Sequence, residues 1–160
     1  GLDGDDTFTV SDLTGGADLS QIRLNGFAGN DTITTEGVPG GQITLVANGG
    51  TGDDTITGTD GDDILIGGPG NDFIDGARGA DTAFLGEGDD TSLWNPGDGS
   101  DIVEGGPGID ELLFNGANAD ETVEVSANGD RVRVESLPGQ GSMFAVELPL
   151  VERAIEGAAE

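Results

Sequence analysis

Cysteine, histidine and tyrosine are all absent from this chain, and basic residues are scarce, with only 5 lysines and arginines in 160 residues. Each absence removes a class of chemistry. Without cysteine there is no disulfide framework and no thiolate metal site, which leaves either redox compartment open. Without histidine the usual zinc sites, Ser-His-Asp triads and Cys-His pairs go together. Carboxylate-only catalysis of the glycosidase kind stays formally open, but no spacing argues for it. A chain so poor in lysine and arginine is not built to hold nucleic acid or an anionic membrane. No apolar run approaches the roughly 18 residues that a membrane span requires. A signal peptide is not visible either. The sequence opens inside a pattern, at Gly1-Leu2-Asp3-Gly4, which suggests a piece of a longer chain with upstream domains.

What is abundant is glycine and acid. The chain holds 31 glycines and 32 aspartates and glutamates, for a formal charge of −27, against 34% hydrophobic residues. Few apolar groups and high net charge normally mean a chain that cannot bury enough surface to offset its ordering entropy. On composition alone the expectation is disorder. Something cationic must join the chain before it folds.

The order of the acids is not that of a linker. Aspartates fall nine residues apart at Asp54, Asp63, Asp72, Asp81 and Asp90, and again at Asp101 and Asp110 after a two-residue insertion around Leu93-Trp94-Asn95-Pro96. Two residues before each stands a glycine: Gly52, Gly61, Gly70, Gly79, Gly88, Gly99 and Gly108. Two residues after each stands an inward candidate: Ile56, Leu65, Ile74, Ala83, Ser92, Val103 and Leu112. A solvated linker has no reason to keep register over seven units. Twelve-residue EF-hand loops are absent, since no loop has alternating acids and a terminal glutamate.

Each part of the nine-residue unit has a physical reason. Glycines permit positive φ and tight turns whose carbonyls aim at one point. Lacking side chains, they let successive turns stack at a strand spacing of about 4.8 Å. The apolar residue after the aspartate starts a short strand and points inward. Two units make one coil of 18 residues, so Asp54, Asp72 and Asp90 stack on one side and Asp63 and Asp81 on the other. Two unit charges about 5 Å apart repel by roughly 0.8 kcal/mol in water and about 3 kcal/mol at an effective dielectric of 20. A hard divalent cation between turns reverses that sign. Donors that are all oxygen, carboxylates plus backbone carbonyls, suit calcium, whereas magnesium demands a stricter octahedron and keeps its waters.

Units such as Gly67-Gly68-Pro69-Gly70-Asn71-Asp72-Phe73-Ile74-Asp75 and Gly105-Gly106-Pro107-Gly108-Ile109-Asp110-Glu111-Leu112-Leu113 resemble the repeats-in-toxin (RTX) nonapeptides, strongly over 49–113 and less so over 1–48. The resemblance implies an all-β, right-handed parallel β-roll (a β-solenoid) with calcium held between turns on both edges. It implies Asp54, Asp63, Asp72, Asp81, Asp90, Asp101 and Asp110 as carboxylate ligands, of which Asp101 stands nearest the broken register. Backbone carbonyls of Gly50, Gly52, Gly61, Gly68, Gly70, Gly79 and Gly88 would complete the shells of about four to seven ions. The units starting at Leu85 and Pro96 lack the first glycine. The family also implies a bacterial, secreted, extracellular protein using type I export.

The flanks read differently. Residues 1–48 carry a longer related unit, in which the run from Ile22 to Thr34 parallels the run from Ile43 to Thr57. Coils there span about 23 to 25 residues, and Asp6 and Asp31 are open candidates for metal. Residues 114–150 suggest three or so antiparallel strands, around Val123, Val125, Val132, Val134, Phe144, Val146 and Leu148, as a small β cap for the end of the solenoid. Turns are expected at Ala127-Asn128-Gly129-Asp130 and at Leu137-Pro138-Gly139-Gln140-Gly141. Residues 132–150 also resemble the closing segment of a histidine-kinase ATP-binding domain. The rest of that domain is missing, so the segment reads as a hairpin and no kinase activity follows. An acidic tail, 151–160, ends the chain. Trp94 and Pro96 read as packing at the insertion, and Asp75, Glu87 and Glu104 as surface charge.

The expectation is therefore a calcium-binding module that folds with its metal, and not an enzyme. A different class, the repeat region of a secreted protease or lipase, or a calcium-stiffened spacer of an adhesin or surface layer, would share every feature of this chain.

Overall fold

A computed structural model of the chain describes residues 3–11, 19–36, 43–115, 121–128 and 131–138. Every regular element among them is a strand. The strands alternate between two sheets. One holds β1 (Thr7–Ser11), β3 (Thr32–Glu36), β5 (Thr55–Thr57), β7 (Phe73–Asp75), β9 (Thr91–Trp94) and β11 (Glu111–Phe114), in that order and all parallel. The other stacks β2 (Gln21–Ala28), β4 (Thr44–Thr51), β6 (Ile64–Pro69), β8 (Thr82–Glu87) and β10 (Asp101–Glu104), also parallel. The result is a β-solenoid, as the repeat predicts.

Register shows how coil length varies along the axis. Thr7 pairs with Thr32, a step of 25 residues, and Thr32 with Thr55, a step of 23. Thr55 to Phe73 and Phe73 to Thr91 are steps of 18. After the insertion the step is 20, from Thr91 to Glu111 and from Thr82 to Ile102. The wide-coil flank and the 18-residue repeat are thus one continuous stack. One detail is corrected: Ile22 lies beside Leu45, not Ile43. Both Ile22 and Leu45 stand nine residues before an aspartate, Asp31 and Asp54. The stack aligns on the aspartates and lets the loops absorb the difference.

Alternation of side chains sends one residue of each pair inward. Ile33, Leu45, Ala47, Ile56, Leu65, Ile74, Ala83, Leu85 and Val103 form one buried cluster, flanked by the partly buried Phe8, Ile22, Leu24 and Leu112. The inward candidates all point into it or pack against it, and Ser92 is buried with them. Trp94 is buried and its ring sits 5.7 Å from that of Phe114, so its role is packing. The insertion falls just after it, in the turn Asn95–Asp98.

At the far end the second sheet changes direction. β13 (Arg131–Pro138) pairs antiparallel with β10 and with β12 (Glu121–Asn128). This hairpin is the expected antiparallel cap, covering the last edge of that sheet. Its described residues form two strands of the three or so expected, and β13 continues through Leu137 and Pro138, the first two residues of the expected turn, whose remainder, 139–141, lies outside the described residues. The Phe144, Val146 and Leu148 strand, the Gly129-Asp130 link, most of the kinase-like segment and the acidic tail lie outside the described residues.

Candidate metal centre

The turns between the two sheets form two edges. One, the long edge, carries Asp6, Asp31, Asp54, Asp72, Asp90 and Asp110, each just before a strand of the first sheet. The short edge carries Asp63 and Asp81 just before strands of the second sheet, and Asp101 as the first residue of β10. All seven aspartates expected as ligands thus fall into these two columns, and Asp31 joins them despite its 23-residue spacing.

Along each column the aspartates are locked by a hydrogen-bond ladder. The backbone N–H of Asp31 donates to Oδ1 of Asp54 at 2.7 Å, Asp54 to Asp72 at 2.8 Å, Asp72 to Asp90 at 2.7 Å, and Asp90 to Asp110 at 3.2 Å. Asp6 starts the series by donating to Asp31 at 2.7 Å. On the short edge Asp63 donates to Asp81 at 2.8 Å and Asp81 to Asp101 at 2.9 Å. Asp101, beside the insertion, keeps its place because both columns lengthen by the same two residues. A second ladder runs outside the long edge in the opposite sense: Asn71 N–H donates to Oδ1 of Asp53, and Asp89 N–H to Oδ1 of Asn71, at 2.8 and 2.9 Å.

The inner ladder uses only one oxygen of each carboxylate. The Oδ2 atoms of Asp31, Asp54, Asp72 and Asp90 on the long edge, and of Asp81 on the short edge, are buried with no hydrogen-bond partner among the described residues. Asp31 and Asp90 are each only 1% exposed. A buried carboxylate oxygen without a partner costs on the order of 1–3 kcal/mol, and more when charged. Desolvation accordingly lifts Asp54, Asp72, Asp81 and Asp90. Burial pushes Asp72 up to about 7, against a hydrogen bond from Asp54 that lowers it, with the charges of Asp90 and Asp54 raising it further. Burial likewise pushes Asp81 to about 9 and Asp101 to about 7, and raises Asp54, Asp63, Asp90 and Asp110. A polypeptide gains nothing by lining up such groups unless a cation meets them.

Backbone oxygens crowd the same turns. A Cβ on Gly68 would stand 2.0 Å from the carbonyl oxygen of Gly50, and one on Gly70 2.0 Å from that of Gly52. Both glycines have positive φ, 118° and 143°. No other residue fits there: the side-chain volume is filled by the carbonyl of the coil before. Gly88 meets the Gly70 carbonyl in the same way, and on the short edge Gly79 meets that of Gly61. The glycines whose carbonyls were expected as donors therefore line the same two columns as the carboxylates. No group of three or more acidic side chains able to hold a metal converges among the described residues. Backbone carbonyls would therefore have to supply much of any ion's shell, and a donor set that is oxygen throughout fits calcium.

A family model for the RTX calcium-binding nonapeptide repeat matches the chain in four copies, over residues 23–37, 48–83, 57–91 and 97–112. These are RTX calcium-binding repeats. The RTX match over 23–37 takes in Asp31, in the wide-coil flank where the nine-residue period had faded. No curated protein matches the chain.

Two residues of the RTX edges escaped the sequence reading. Asp98 is buried, and its carboxylate accepts the N–H of Asn95 while its own N–H donates to the Asn95 carbonyl at 3.0 Å. It ties the inserted turn shut. Burial lifts it to about 6, the Asn95 N–H opposing this and the Asp75 charge adding to it. Asn-Pro-Gly-Asp is a turn signal that marks the loop but not the burial. The other is Thr59, where the long edge has glycines such as Gly50 and Gly68. It is buried against Asp63.

Proposed function

We propose that this chain binds calcium ions in its stacked turns and folds as it binds them, as a secreted module of a bacterial protein. The observation that carries the reading is the row of buried, partnerless Oδ2 atoms on Asp31, Asp54, Asp72 and Asp90. These aspartates, with carbonyls of Gly50, Gly52, Gly68, Gly70 and Gly88, would hold ions on the long edge. Asp81 and Asp101, with Gly61 and Gly79, would do so on the short edge. Bound calcium supplies positive charge, and the residues supply an arrangement in which the metal-free coil is self-repelling. Binding free energy is then folding free energy. The role is binding rather than catalysis, in keeping with a sequence that has neither histidine nor cysteine. A calcium affinity in the range of extracellular modules, about 10⁻⁴–10⁻³ M, would leave the chain unfolded inside a cell and folded outside it.

Circular dichroism during a calcium titration tests this. At about pH 8, strand signal is expected to be absent in EDTA, to rise cooperatively with calcium, and to stay low with magnesium alone. Full strand signal in EDTA at that pH would contradict the coupling.

A further inference from the structure

The short edge does not begin as the long edge does, and its first turn is closed by the protein itself. Asp63 is 2% exposed, yet both its oxygens have partners. Oδ1 accepts the N–H of Leu45 at 2.7 Å and the hydroxyl of Thr59 at 3.0 Å. Oδ2 accepts the backbone N–H of Thr59. The Thr59 hydroxyl in turn accepts the N–H of Gly61 at 3.0 Å. In the equivalent long-edge turns the residue at this position is Gly50 or Gly68, with φ of 118° in both. A β-branched residue avoids that region. Thr59 is not among the positive-φ residues, and its N–H is directed to the carboxylate. The aspartates five residues after Gly49 and Gly67 keep a partnerless oxygen, and the one five after Gly58 does not. Moreover, the residue that donates to Asp63 from the coil before is Leu45, so no second carboxylate faces it across that gap.

We infer that Thr59 takes the place of a cation at Asp63, so that the short edge starts with a metal-independent turn and takes up its first calcium at Asp81. Two N–H donors and a hydroxyl spread over both oxygens stabilise the buried charge with the chain's own dipoles. Asp63 would then be an anchor from which the metal-dependent stack grows, and not a ligand. The inference rests on calcium binding at the other aspartates, and it removes one residue from the ligand set that the repeat implies.

The test counts calcium ions on the full chain, by equilibrium dialysis at saturating metal, for the unmodified protein and for Asp63→Asn, Thr59→Gly, Asp54→Asn and Asp81→Asn. Terbium emission sensitised by Trp94 is read alongside, since this single tryptophan lines the same small cavity as Asp81 and Asp101. Asp63→Asn is expected to leave the ion count and the emission unchanged, whereas Asp54→Asn and Asp81→Asn each lose at least one ion, and Asp81→Asn alone loses emission. Thr59→Gly is expected to gain one ion, because the turn regains the glycine geometry and Asp63 loses its hydroxyl partner. A lost ion in Asp63→Asn, or an unchanged count in a folded Thr59→Gly, would overturn the inference while leaving calcium binding in place. If Thr59→Gly does not reach native strand signal, the Asp63→Asn count decides alone. Binding of no calcium by any variant would defeat the functional reading itself.

Discussion

The two edges of this solenoid carry the same column of hydrogen-bonded aspartates, yet they solve the buried-carboxylate problem differently. The long edge repeats one arrangement four times, from Asp31 to Asp90, with glycines beneath and a partnerless oxygen at each step. The short edge has three aspartates in three settings. Asp63 is closed by Thr59, Asp81 is buried with one oxygen unpartnered, and Asp101 sits beside the inserted Asp98 turn. The lesson is that a carboxylate ladder alone does not define a cation site. What defines it is whether the chain offers the second oxygen a donor. From Asp31 to Asp90 the long edge offers none among the described residues and, on the function proposed, depends on metal there, while the short edge is partly self-sufficient.

The comparison breaks first under pH. A carboxylate whose folded value is raised favours folding when protonated, and that stability is complete below the ordinary value near 4. It is lost as pH rises through the folded value, which is about 7 for Asp72 and about 9 for Asp81. Between those limits each pH unit costs about 1.4 kcal/mol per group. In EDTA, strand signal is therefore expected to appear on acidification from pH 8 to about 4. In calcium the trend reverses, because ligands must be deprotonated, and the midpoint calcium concentration rises as pH falls. Circular dichroism at fixed pH steps, with and without metal, checks both. Metal-free strand content that does not change with pH would mean the aspartates are not buried in the folded chain.

Single glycines sharpen the contrast next. Gly70→Ala puts a Cβ 2.0 Å from a backbone oxygen at a positive φ, so a loss on the order of 4 kcal/mol or more is expected, with no calcium-induced folding at ordinary concentrations. Gly97→Ala, in the short-edge insertion, meets nothing within 4 Å and bears only its φ of 102°. About 1–3 kcal/mol is expected there. Denaturant melts in saturating calcium measure both, and equal losses would contradict the picture of tight stacking. Smallest of all is Asn71→Ala, which removes one exposed rung of the outer ladder, its Oδ1 bond from Asp89. A change of about 1 kcal/mol or less is expected in the same melts, with the ion count untouched.

Most of the long edge was legible in the sequence, because equal coils give equal spacing and an 18-residue period places Asp54, Asp72 and Asp90 in one column. The alternation around Ile56, Leu65 and Ile74 marked the core for the same reason. Legibility ends where the coils change length. Asp31 belongs to the column, but its step to Asp54 is 23 residues, and a fixed period cannot see a stack that aligns on its aspartates while its loops vary. The match of Ile22 with Ile43 slipped by two residues on the same account. Thr59 and Asp98 were missed for another reason. Both act through backbone conformation and burial, where a hydroxyl or a turn replaces a glycine, and residue identity at one position carries no such information.

Anomalous diffraction from crystals grown in calcium addresses the central claim, that the partnerless aspartate oxygens are calcium ligands, most directly. Peaks are expected between successive coils beside Asp31, Asp54, Asp72 and Asp90 on the long edge and beside Asp81 on the short edge, within about 2.3–2.6 Å of carboxylate and carbonyl oxygens. A map with no peaks at those oxygens, or with the carboxylates turned out to solvent, would contradict it.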